Sequence, residues 1–158
     1  MSFDIKIKGK EHQIKFNYAL NFKANKKLAS KNDEGISQND GAGILFVQVL
    51  EKEDDALINL IQLVDSKATE NDAIEAVEKY VEELTAGGLN EEEAYSKIFD
   101  DLKDEMVASG FFVTKIRKYN ENLEKAVDYL NNQKKKEDNQ MQINELKKLV
   151  EKIKKEIS

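Results

Sequence analysis

A mainly α fold with a small N-terminal β-hairpin, an α+β chain, is what this sequence predicts, and three observations carry that expectation. Apolar and polar residues alternate over the first sixteen positions. Apolar residues then recur at steps of three and four to the end. No proline interrupts any of the 158 residues, which permits long helices. A charged share of 35% beside an apolar share of 40% suits slim helices with one buried face and broad solvated ones.

The elements follow in order. Phe3, Ile5 and Ile7 alternate with Asp4, Lys6 and Lys8, and Ile14 and Phe16 alternate with Gln13 and Lys15 on the return. Gly9 and Lys10 read as a type II′ turn, with glycine at its first central position. That turn sets Phe3 opposite Phe16, Ile5 opposite Ile14 and Ile7 opposite His12. A lone hairpin is marginally stable, so its apolar face needs a cover of helices or of another subunit.

Asn17 is placed to cap a helix over residues 18–29, with Tyr18, Phe22 and Ala29 on one side and Leu20, Ala24 and Leu28 close by. Residues 30–40 are polar and read as a loop. Asp40 stands where a cap for the apolar segment 41–50 is expected, and a further helix follows from Glu53 to about Val64. Thr69 with Asp72, and Asn90 with Glu93, have capping-box spacing. The first box opens a helix with Ile74, Val77, Val81 and Leu84 inward and Gly87-Gly88 as its stop. The second opens a helix to Ala108 with Ala94, Ile98, Leu102 and Met106 inward. Gly110 is expected as a left-handed stop, and Phe111-Phe112 begin a long helix through Ile116, Tyr119, Leu123, Val127 and Leu130.

The domain reading is a hairpin plus helical body over residues 1–130, then a charged linker and short amphipathic helix over 131–158. Ile143, Leu146, Val150, Ile153 and Ile157 recur at intervals of 3, 4, 3 and 4, an a/d stripe little over two heptads long. Such a helix is barely stable alone. It binds a partner, folds back on the body, or is a weakly ordered extension. Burying its five aliphatic side chains contributes on the order of 5–10 kcal/mol before entropy costs.

Charge narrows the function classes. The net charge is −6, and the last 28 residues hold eight lysines against five acids, so the first 130 carry −9. Between Glu70 and Glu105 thirteen acids face three lysines. A body this acidic repels phosphate backbones, so nucleic acid is not an expected partner. Without cysteine there are no disulfides or thiolate metal sites. The first residues lack the pattern of a secretory signal, and the apolar run 44–50 is far too short to span a bilayer, so a soluble cytoplasmic protein is expected.

No constellation reads as catalytic. His12 is the single histidine and lacks a second group to work with, so a partly buried strand residue is its expected role. Gly41-Ala42-Gly43 lacks the third glycine and preceding strand of a dinucleotide fingerprint and reads as close helix packing or a loose helix start. The carboxylates Asp54-Asp55, Glu91-Glu92-Glu93, Asp100-Asp101 and Asp104-Glu105 lack calcium-loop spacing and read as solvated helix faces. No cofactor, metal or enzyme activity is expected. Adjacent phenylalanines point about 100° apart on a helix, so of Phe111 and Phe112 one is expected in the core and the other over a neighbouring helix or subunit.

The order of segments carries a resemblance. The hairpin IKIKGKEHQIKFNY leads into a helix, and the segments GAGILFVQVL, DDALINLI, TENDAIEAV and LKDEMVASGFF follow. Over roughly residues 3–130 this resembles the tail assembly chaperones of long-tailed phages and prophages of Gram-positive bacteria. The resemblance implies a mainly helical protein that binds the long, hydrophobic tape measure protein. It would keep that protein soluble while tail tube protein polymerises around it, and be absent from the virion. It also implies a homo-oligomer, and in many members a longer product of ribosomal frameshifting, for which Lys134-Lys135-Lys136 is a candidate slippery site.

A holdase needs apolar surface on an acidic body. The surfaces expected to meet a partner are Phe3, Ile5 and Ile7 of the hairpin, Phe111 and Phe112, and the terminal stripe Ile143, Leu146, Val150, Ile153 and Ile157. Two rival readings are an acidic DNA mimic, from the Glu70–Glu105 helices, and a coiled-coil adaptor working through the terminal stripe.

Overall fold

The computed structural model of the chain describes residues 3–133 and 139–158, so the Lys134–Lys136 run lies outside the described residues. Two strands, β1 (Phe3–Ile7) and β2 (Lys10–Ile14), precede seven helices. These are α1 (Tyr18–Leu28), α2 (Gly41–Leu50), α3 (Asp54–Val64), α4 (Glu70–Ala86), α5 (Glu91–Ala108), α6 (Gly110–Asn131) and α7 (Gln140–Ile157).

The hairpin forms with a different register. Phe3 pairs with Ile14, Ile5 with His12 and Ile7 with Lys10. The turn sits on Lys8 and Gly9, whose φ angles of 54° and 77° are those of a type I′ turn. This turn matches the right-handed twist of the strands and puts glycine at its second central position. The pairing slips by two residues, an even number, so the faces are unchanged: Phe3, Ile5, Ile7 and Ile14 are all buried.

Helix α2 organises the interior. Its ten residues carry no charge and are apolar almost all round, the pattern of a helix surrounded by others. Leu45 and Phe46 are fully buried, and α1, α3, α5 and α6 all pack against it. Its two glycines permit that approach. A Cβ on Gly41 would lie 2.3 Å from the Ala24 carbonyl oxygen, and one on Gly43 would lie 2.2 Å from Cγ of Tyr119. Asp40 does not cap this helix. Its carboxylate accepts from the Ser30 backbone N–H and hydroxyl across the loop, and the Gly41 N–H donates to Asn25 Oδ1 at 2.9 Å instead.

The local signals at α4 and α5 act as the sequence implies. Thr69 and Asp72 exchange hydrogen bonds at 2.9 and 3.1 Å, and Asn90 and Glu93 at 3.2 and 2.8 Å. Helix α4 ends in a Schellman arrangement, with Gly88 at φ 113° and the Leu89 N–H donating to the Leu84 carbonyl. Gly110 is not a left-handed stop. Ser109 makes the corner from α5 into α6, accepting from the Phe112 N–H and donating its hydroxyl to the Phe16 carbonyl at 2.6 Å. That bond ties the hairpin's exit strand to the same corner.

Two helices are rotated from expectation. On α1, Leu20, Asn21 and Ala24 face inward, and Tyr18 and Phe22 are 67% and 52% exposed. On α4, Ala73 and Ala76 are buried and Ile74 is 45% exposed, with Val77, Val81 and Leu84 only half-buried. Two small alanines let β1 lie close against α4, where the Phe3 and Tyr80 rings stack with centroids 5.0 Å apart. At about 100° per residue, the Ala73/Ala76/Tyr80 arc and the Ile74/Val81 arc stand roughly 100° apart, so one helix cannot bury both against one neighbour.

The chain itself covers both surfaces for which a cover is expected, the hairpin's apolar face and the terminal stripe. Helices α4 and α5 pack against β1, and Phe16, just past the hairpin, stands edge-on to Phe112 of α6 at 5.1 Å. Helix α7 folds back along α6 and buries Ile143, Val150 and Ile153. Ion pairs Lys152–Glu51 at 3.0 Å, Lys103–Glu156 at 3.2 Å and Lys154–Glu124 at 3.3 Å flank that seam.

Candidate functional site: an acid-rimmed apolar groove

The flank of α4 that carries exposed Ile74 and half-buried Val77 and Val81 forms one wall of a surface groove. Two adjoining concavities share Val77, Glu78 and Tyr95 and run between α3, α4 and the start of α5. The floor is aliphatic and aromatic: Ile58 from α3, Ile74, Val77 and Val81 from α4, and Tyr95 from α5. The Tyr95 hydroxyl donates to Asp54, which joins α5 to α3 beneath the groove. Burial first, and then that hydrogen bond to a carboxylate, push the Tyr95 phenol up to about 12.

The rim is uniformly acidic. Asp54, Asp55 and Glu70 stand at one end, and Glu78, Glu82, Glu91 and Glu92 along the other. None of these seven carboxylates forms an ion pair with a described lysine or arginine. Several acids elsewhere on the body do form ion pairs. Lys8 reaches Asp65 and Asp72, Lys6 reaches Glu83, and Lys52 and Lys97 reach Asp100 and Asp101.

A second uncovered surface is aromatic and cationic. Tyr18 meets Phe111 edge-on at 5.5 Å, Lys26 lies over the Phe22 ring and Lys115 over the Phe111 ring. Among the described residues no cluster of three or more potential metal ligands occurs, and no helix is long and apolar enough to cross a membrane. His12 is half-buried opposite Ile5, its Nδ1 3.0 Å from the Lys10 carbonyl oxygen.

The residues expected to meet a partner stand elsewhere. Phe3, Ile5, Ile7, Phe112, Ile143, Val150 and Ile153 are buried within the chain's own core, and Phe111, Leu146 and Ile157 are half-buried at its edges. The groove brings none of them together. The floor residues Ile74, Val77 and Val81 read as core in the sequence. The signal that separates them is the neighbouring small-residue arc, Ala73 and Ala76, which competes for the same interior.

A family model described as phage tail assembly chaperone protein, TAC, matches residues 4–121, well over half of the chain. The chain belongs to the phage tail assembly chaperone family. Comparison with curated proteins and with solved structures finds no match. The matched span runs from the hairpin into the middle of α6, so this chaperone's groove, between residues 54 and 95, lies wholly inside it. Helix α7 lies wholly outside. The role of the chaperone is in building a phage tail, which agrees with the resemblance seen in the sequence.

Proposed function

We propose that this chaperone binds the tape measure protein and keeps it from aggregating in the host cytoplasm while tail tube protein polymerises around it. The observation that carries the reading is the open groove. A folded monomer that buries its hairpin and its terminal helix still leaves the exposed Ile74 and the half-buried Ile58, Val77, Val81 and Tyr95 lining one apolar groove, ringed by charge. A surface of that kind on an acidic body offers an apolar helix a place to dock while the complex as a whole stays hydrated.

The aromatic surface around Tyr18, Phe22 and Phe111 supports a homo-oligomer as the second part of the proposal. The coiled-coil adaptor reading has no comparable support, because the stripe it relies on is seated against α6 within the chain.

Co-expression tests the reading. A tape measure fragment should be recovered in the soluble fraction with the wild-type chaperone and should precipitate with Ile74→Glu and Val81→Glu. Circular dichroism should show both variants folded. A fragment solubilised equally well by folded groove variants removes the groove from this function.

A further inference from the structure

Resting on the proposal that the groove holds a client helix, we infer that it selects amphipathic segments whose aliphatic stripe is flanked by lysine or arginine. The argument is one of uncompensated charge. Seven carboxylates border an apolar floor, and none is paired with a described cation, whereas Asp65, Asp72, Glu83, Asp100 and Asp101 elsewhere on the body are paired with Lys6, Lys8, Lys52 and Lys97. An uncharged or acidic helix seated there would bring its own surface against that rim and dehydrate carboxylates without giving them a partner. A cationic flank converts the same carboxylates into acceptors of charge-assisted hydrogen bonds.

The chain contains one instance of this chemistry in cis. Helix α7 lays Ile143, Val150 and Ile153 against α6, and beside the aliphatic seam its Lys152 and Lys154 pair with Glu51 and Glu124, while its Glu156 pairs with Lys103. The unfilled groove offers the same combination, an apolar seam between carboxylates, to a helix from outside. Its wall on α4 runs from Glu70 to Thr85, about 22 Å at 1.5 Å per residue, which admits roughly four turns of a docked helix. The client segment is thus about fifteen residues long, with aliphatic positions at i, i+3 or i+4, and i+7 on one side and cations along both margins.

Three labelled helical peptides of that length test the inference by fluorescence anisotropy on the full chain. One carries a leucine stripe flanked by lysines, one the same stripe flanked by glutamates, and one the lysine composition with the stripe scrambled. The lysine-flanked peptide should bind at least about tenfold tighter than the glutamate-flanked one at low salt, and the gap should narrow as salt rises. The scrambled peptide should bind weakly. The double variant E78K/E82K should lose or invert the preference. Equal affinity for both flanked peptides overturns the inference, as does a preference unchanged in that variant. So does a groove already filled by a second copy, seen as an oligomer that Ile74→Glu dissociates and that no peptide displaces. If Ile74→Glu abolishes solubilisation of a tape measure fragment while the peptides show no charge preference, the inference fails and the proposed function stands. If Ile74→Glu leaves solubilisation intact while the lysine-flanked peptide still binds the groove, the function reading fails instead.

Discussion

The side-chain amide of Asn120 in α6 donates to the backbone carbonyl of Val150 in α7 across 3.3 Å, inside the buried seam between the two helices. Its other polar atom, Oδ1, is buried with no hydrogen-bond partner among the described residues. The seam that fixes α7 is therefore held by aliphatic packing, with a polar group that is only half satisfied. Ile153→Ala in that seam should cost about 2–5 kcal/mol in urea unfolding. Asn120→Leu should leave the midpoint unchanged or raise it, because it removes an acceptor whose burial costs about 1–3 kcal/mol. A large loss in Asn120→Leu with little change in Ile153→Ala would show that the amide, not the packing, anchors α7.

The two helix-start glycines make a matched pair for a second test. Alanine is intrinsically favoured over glycine in a helix by about 1 kcal/mol, so the sign of each substitution reports its surroundings. At Gly43 an added Cβ would meet Tyr119 at 2.2 Å, and the tyrosine must shift or the α2–α6 contact must open. Gly43→Ala should destabilise by about 1–3 kcal/mol. At Gly110 nothing lies within 4 Å of the added atom, and Gly110→Ala should be neutral or mildly stabilising. Thermal melts of the two variants side by side would decide it.

Stability should decline at acid pH through two carboxylates near the hairpin. The Lys67 backbone N–H, and after it Lys8, hold Asp65 below its ordinary value of 3.8, and the Thr69 backbone N–H does the same for Asp72. Carboxyls lowered in the folded state stabilise it above their unfolded pKa, and that contribution is lost as pH falls through the folded values, below 3.8. Asp72→Asn should therefore flatten the acid limb of the stability curve. An acid limb identical to wild type would assign the loss to other groups.

At alkaline pH the informative group is Tyr95. Its phenol ionises at about 12, above the ordinary 10.0, through burial first and then its hydrogen bond to Asp54. The folded state is favoured by this group below pH 10.0, and the advantage disappears as pH rises through about 12. Asp54→Asn should bring part of the tyrosinate absorbance to lower pH in an ultraviolet titration. No displacement of the titration would mean that burial alone sets the value.

Particular residues show how far the sequence could be read. The faces of β1 and β2 were legible from alternation, and survived a two-residue error in register because side-chain direction repeats every second residue. The Thr69–Asp72 and Asn90–Glu93 boxes and the Gly87-Gly88 stop were legible because each is completed by backbone groups within a few residues of itself. The α5 face of Ala94, Ile98, Leu102 and Met106 was legible because that helix has a single apolar arc with charged flanks. The groove was not. Helix α4 carries two apolar arcs, and periodicity ranks Ile74, Val77 and Val81 above Ala73 and Ala76 because it counts hydrophobicity and not volume.

Composition, spacing and capping chemistry by themselves determined a helical chain led by a hairpin, where its helices begin and end, and the family it resembles, since those signals are local and act within a turn or two. Tertiary structure alone decided which arc of α1 and α4 meets the interior, that α7 lies along α6, and that the hairpin's lysines pair with Asp65, Asp72 and Glu83 and leave the groove's rim without a described cation. Those outcomes depend on whether Phe3 and Tyr80 can stack over two alanines and on where the hairpin's lysines come to rest, and both are set by residues far apart in the chain.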